Sequence, residues 1–175
     1  SGVTTLTLLN VGGTATLSAD VDVTTLTVGN TVANVAFTGN GSSVANSFTP
    51  NNDGTFVFGT SGGTQTYNGG LNTASVDGTV SLNGSLVTSN DALTLGAATL
   101  ASDVTLTSAG GAIATGAITG TSTDDLIVTS SGGSTNTISL GAIGGSNVHN
   151  IAATAGTSIT LTGNVTTANA SGNTV

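Results

Sequence analysis

Apolar and small polar residues alternate in Val3-Thr4-Thr5-Leu6-Thr7-Leu8, and nearly the same string returns twenty positions later as Val23-Thr24-Thr25-Leu26-Thr27-Val28. Alternation at period two is the pattern of a strand with one buried face. Looser copies follow at Thr79-Val80-Ser81-Leu82, Ala92-Leu93-Thr94-Leu95, Val104-Thr105-Leu106-Thr107, Leu126-Ile127-Val128-Thr129, Thr137-Ile138-Ser139-Leu140 and Ile159-Thr160-Leu161-Thr162. A repeat this short cannot bury its apolar face alone, so its neighbours must stack on it. The pattern predicts an all-β chain forming a single parallel β-solenoid, or β-helix, of about eight coils of roughly 20–22 residues. Residues 1–175 read as one domain, with a less regular section at 30–75.

Between the strands, Asn83-Gly84, Gly110-Gly111, Gly132-Gly133 and Gly144-Gly145 supply corners where positive φ is expected. Like positions recur at the coil period, as in Leu106 to Val128 and Leu140 to Leu161. No stretch carries the period of an amphipathic helix. Within 30–75, Val32 to Phe37 and Thr55 to Phe58 read as strands, with turns at Gly39 to Ser43 and Pro50 to Gly54. The first residue is Ser1 and the tail from Gly163 to Val175 keeps the repeat style without a polar cap. The expectation is either an excerpt of something longer or open ends that join other subunits.

Composition alters the picture of the core and the surface. Aromatic residues are 3% of the chain, and Trp and Met are absent. Burial must come from Val, Ile, Leu and Ala, which suits a narrow and evenly filled interior. Phe37, Phe48, Phe56, Phe58 and Tyr67 either fill a wider section of core or form a surface contact patch. All eight charged residues are Asp, giving a net charge of −8. Without Lys or Arg, phosphate cannot be neutralised, so neither nucleic acid nor an anionic membrane surface is an expected partner. No apolar run is long enough for a membrane-spanning helix, and the lack of Cys removes disulfides and thiolate metal sites.

Gly63-Thr64-Gln65-Thr66-Tyr67-Asn68-Gly69, Val80-Ser81-Leu82 and Ala92-Leu93-Thr94-Leu95-Gly96 resemble the β-strand repeats of very large secreted bacterial adhesins. These are the filamentous-haemagglutinin-like and two-partner-secretion type. The likeness runs on through Val104 to Ile113 and Ile159 to Val165, covering most of residues 60–165 and, more weakly, 1–30. It implies a right-handed parallel β-helix shaft, an extracellular or cell-surface address, and roles in adhesion, biofilm or fibre formation. The implied partners are copies of the chain or further repeats, and a host or matrix surface.

Candidate chemistry is sparse. His149 is the single histidine and reads as a residue of a solvent-facing turn between Asn147 and Asn150. No Ser, His and carboxylate spacing stands out from a background so rich in Ser, so no catalytic residue is assigned and the chain is read as non-enzymatic. Calcium is the cation that carboxylates alone could hold, with Asp20, Asp22, Asp53, Asp103 and Asp125 as its candidate ligands. The alternative is turn and corner Asp residues capping local backbone amides. Asp124 and Asp125 are a poor acid–base pair, since adjacent strand residues point to opposite faces. The elements Thr5-x-Thr7, Thr14-x-Thr16, Thr25-x-Thr27 and Thr105-x-Thr107 raise an ice-binding or glycan-binding face as the alternative to a shaft, and a carbohydrate-acting β-helix enzyme is the remote one. A flat unbroken Thr face would favour the first, carboxylates converging in a cleft the second.

Overall fold

In the computed structural model the described residues are 3–120, 124–133, 136–144 and 148–167. Ser1, Gly145, Asn147 and the tail beyond 167, all named above, lie outside them. The chain is all-β and winds into a parallel β-solenoid of about seven turns. At roughly 4.8 Å per turn the stack is about 34 Å long.

Each turn passes through three faces in order. The first stacks Thr14–Leu17, Asn34–Phe37, Phe56–Phe58, residues 80–82 and 98–100, Ile118–Gly120 and Ile143–Gly144. The second runs from Asp22–Val23 through Ser43–Val44, Thr64–Tyr67, residues 85–88 and 104–108 and Asp124–Ser130 to Val148–Ala155. On the third, Leu71–Asn72, Leu93–Leu95, Ile113–Thr115, Thr137–Leu140 and Ser158–Leu161 pair in succession. Thr5–Leu8 and Thr25–Val28 extend that face downward, linked by backbone bonds at Asn46 and Asn51 and the Phe48–Leu71 bridge.

The alternation of the sequence is the in–out alternation of every face. Thr5 pairs Thr25 and Leu6 pairs Leu26, as their twenty-residue repeat requires. Leu106 pairs Val128 and Leu140 pairs Leu161, at the longer period. Buried aliphatic rows form the core, each large side chain contributing about 1.5–3 kcal/mol. One corner expected from sequence, Asn83-Gly84, is strand instead. Val80–Thr88 and Ala98–Ser108 run continuously from the first face into the second, with a register shift between Leu82 and Gly84. Gly84 there has φ +66°, and Gly132 and Gly144 are also positive, but Gly110, Gly111 and Gly133 are not. Gly111 is required by closeness instead: a Cβ would stand 2.2 Å from the Asp91 carbonyl oxygen.

The less regular section holds the aromatics. Phe37, Phe48, Phe56, Phe58 and Tyr67 are all fully buried. Phe56 stacks on Phe58 at 4.1 Å and Phe48 on Tyr67 at 5.8 Å, with edge contacts from Phe48 to Phe56 and Phe58 to Tyr67. Gln65, itself buried, accepts the Tyr67 hydroxyl at Oε1 and donates to the carbonyls of Phe37 and Gly39. These rings fill core, so the surface-patch reading of them is corrected: a ring without exposed area cannot touch a partner.

Candidate functional site

Polar side chains at the coil corners act as rungs of a ladder. Asp20 Oδ1 accepts the Gly41 N–H at 2.8 Å, and Asn34 Oδ1 accepts the Thr55 N–H at 2.9 Å. Asp103 Oδ1 accepts the Asp125 N–H at 2.9 Å, one coil on. Asp125 Oδ1 in turn accepts the Asn150 N–H at 3.1 Å, Asn150 Nδ2 at 3.0 Å, and lies 2.9 Å from His149 Nδ1. A carboxylate aimed at the amide one coil above satisfies a donor that the corner would otherwise leave to water. Corner Asp residues cap backbone amides as expected, but the amides are those of the next coil and not local ones.

Among the calcium candidates, the structure brings together only neighbours. Asp103 and Asp125 are one coil apart, and Asp20 and Asp22 share the rim of a depression of about 380 Å³ that is also lined by Val3, Leu6, Val21 and Val23. Asp53 is exposed and far from both in the stack, its backbone N–H held by the Val32 carbonyl. Among the described residues no three His, Cys, Asp or Glu side chains gather as a metal ligand set. Asp124 is buried and Asp125 half-exposed, on opposite faces of one strand, as adjacency dictates.

His149 departs from the solvent-facing turn expected for it. It lies in the strand Val148–Ala155, half-buried, against Asp125. Asn150 Nδ2 stands 2.8 Å from the same ring nitrogen. With a proton on Nδ1 the ring donates to the carboxylate; without one it accepts from the amide. The cluster was illegible because Asp125 and Asn150 are 25 positions apart, which a search at the common period does not align.

The Thr elements do not form one lattice. Thr5, Thr7, Thr25 and Thr27 lie on the third face, Thr14 and Thr16 on the first, and Thr105 and Thr107 on the second. The second face carries the longest rows. One reads Thr66, Val87, Thr107, Thr129 and Thr154; its neighbour reads Thr64, Ser85, Thr105, Ile127 and Ala152. Val87 interrupts the first, and Ile127 and Ala152 the second. Among the described residues no helix is long and apolar enough to cross a membrane, which says nothing of a β-barrel.

No protein-family model, no curated protein and no solved structure matches this chain.

Proposed function

We propose that the chain is a structural, non-catalytic segment of the shaft of a secreted bacterial surface adhesin or extracellular filament. The observation that carries this reading is parallel pairing from coil to coil on three faces, as where Val80–Thr88 and Ala98–Ser108 meet at eight positions. A rod so built resists bending because every coil boundary is crossed by many short-range hydrogen bonds at once. A surface of Thr, Ser, Asn and Gly whose charges are scattered Asp residues fits a spacer better than a binding cleft. The absence of Lys and Arg leaves trypsin-like proteases no site, which suits an exposed location. Partners on this reading are further repeats of the same kind and, through other parts of the assembly, a host or matrix surface.

The experiment is a swap in the source bacterium. Replacing residues 3–167 by an unrelated solenoid of equal coil number should preserve surface fibres and adherence, while deleting them shortens the fibres. Loss of adherence in the swap, with fibres of normal length, would instead assign ligand recognition to this segment.

A further inference from the structure

The chain contains three Asn-Gly pairs, Asn40-Gly41, Asn68-Gly69 and Asn83-Gly84. In such a pair the glycine nitrogen can reach the asparagine Cγ, since no glycine Cβ stands in the way. That nitrogen attacks only as it loses its proton, so the pair that matters is the one with a base on the glycine N–H. At Asn83-Gly84 the Gly84 nitrogen faces the Ser102 hydroxyl at 3.3 Å, and the Asn83 amide is tied to the Phe58 carbonyl. Gly69 is half-buried against the backbone of the coil below, where a Cβ would stand 2.4 Å from the Ser47 nitrogen.

Asn40-Gly41 differs from both. The two residues are exposed at a coil corner. The Gly41 N–H donates to Asp20 Oδ1 at 2.8 Å, within the reach required of a general base. The main chain is anchored on the other side of the reacting bond, where the Asn40 carbonyl accepts the Thr64 N–H at 2.9 Å. Among the described residues no hydrogen bond restrains the Asn40 carboxamide. It occupies space left by Gly63 of the next coil, where a Cβ would stand 2.6 Å from Asn40 Oδ1. We infer that Asn40 is a self-deamidation site with Asp20 as its base. Asp20 takes the Gly41 proton, the Gly41 nitrogen bonds to Asn40 Cγ, and the Cγ–Nδ2 bond breaks as ammonia leaves with that proton. Water then opens the succinimide at either carbonyl, leaving aspartate or isoaspartate at position 40. One water is consumed, one ammonia is released, and nothing is oxidised or reduced. While the succinimide lasts Gly41 has no N–H, so the rung from Asp20 is lost, and the product adds a negative charge one coil on from Asp20.

The test is mass spectrometry of folded protein aged at neutral pH in heavy-oxygen water. Chymotrypsin, cutting at Phe37 and Phe48, isolates position 40. That position should take up one heavy oxygen and convert before positions 68 and 83, and faster in the folded chain than in urea. Asp20→Asn keeps an acceptor for the Gly41 N–H but no base. It should slow conversion about tenfold, short of the roughly 10²–10⁴ of a positioned base because Asp20 is solvated. An unchanged or faster rate in Asp20→Asn would make the carboxylate a restraint only and overturn the inference. So would slower conversion in the folded chain than in urea, a comparison that needs no variant.

Discussion

The Asp103 carboxylate accepts the backbone N–H of Asp125 at 2.9 Å, and the Asp125 carboxylate accepts that of Asn150 at 3.1 Å, so two corner acids tie three successive coils. Each bond is partly exposed, so its worth is at the low end of a charge-assisted contact. Asp103→Ala should cost about 1 kcal/mol and Asp103→Asn, which keeps an acceptor, much less. Asp125→Ala should cost about 2 kcal/mol, because the Asn150 N–H, its amide and His149 all lose a partner. Urea denaturation of the three variants decides the order.

The same engagement bears on calcium. One oxygen each of Asp20, Asp103 and Asp125 is committed to a backbone amide, and among the described residues no third carboxylate joins either pair. Melting followed by circular dichroism should be unchanged by added calcium or by a chelator. A rise in melting temperature with calcium would restore the acidic corners as ligands.

Burial drives the Tyr67 phenol well above its usual value near 10. Desolvation disfavours the phenolate, so the folded chain keeps the proton where the unfolded chain releases it. The contribution is therefore fully present below about pH 10 and is lost as pH rises beyond it. Stability should be level from pH 7 to 9 and fall above 10. Tyr67→Phe should flatten the alkaline fall, at a neutral-pH cost of about 1–2 kcal/mol for leaving Gln65 Oε1 without its donor.

Phe58→Ala empties a fully buried site between two rings and should cost about 3–5 kcal/mol. Leu161→Ala, at a half-exposed edge, should cost under about 1 kcal/mol in dilute protein. Equal losses in thermal unfolding would place the aromatic section outside the core.

Two glycines with similar backbone angles should respond differently to alanine. Gly84 has φ +66°, and a Cβ there would meet the Thr60 and Gly63 carbonyl oxygens at 2.4 and 2.5 Å. Gly62 has φ +74° with nothing within 4 Å. Gly62→Ala should cost about 1 kcal/mol, the left-handed strain alone, and Gly84→Ala several times that because backbone must move. Comparison of their unfolding midpoints separates strain from clash.

These particulars mark where sequence was legible. Thr5–Leu8 and Thr25–Val28 announce their own pairing, because identical alternation at a fixed offset has one stacked solution. The acidic corners were legible as capping residues, but the amides they cap were not, because the partner one coil away is fixed only once the coils are stacked. Illegible were features set by side-chain volume and by local insertions. Nothing in the Phe56-Val57-Phe58 string distinguishes inward rings from outward ones until the neighbouring coils are placed. Asn83-Gly84 reads as a corner because a left-handed glycine suits a turn and a bulge equally well. His149 lies in a strand and not a turn, where the register shifts between the Asp124–Val148 and Leu126–Ile151 pairs, an irregularity that no fixed period reveals.

The proposed shaft role puts this solenoid outside the cell. Immunogold labelling of intact cells of the source organism, with an antibody against the folded chain, reads that location. The account predicts gold along filaments or at the outer surface without permeabilisation. Label that appears only after the cells are opened would contradict it.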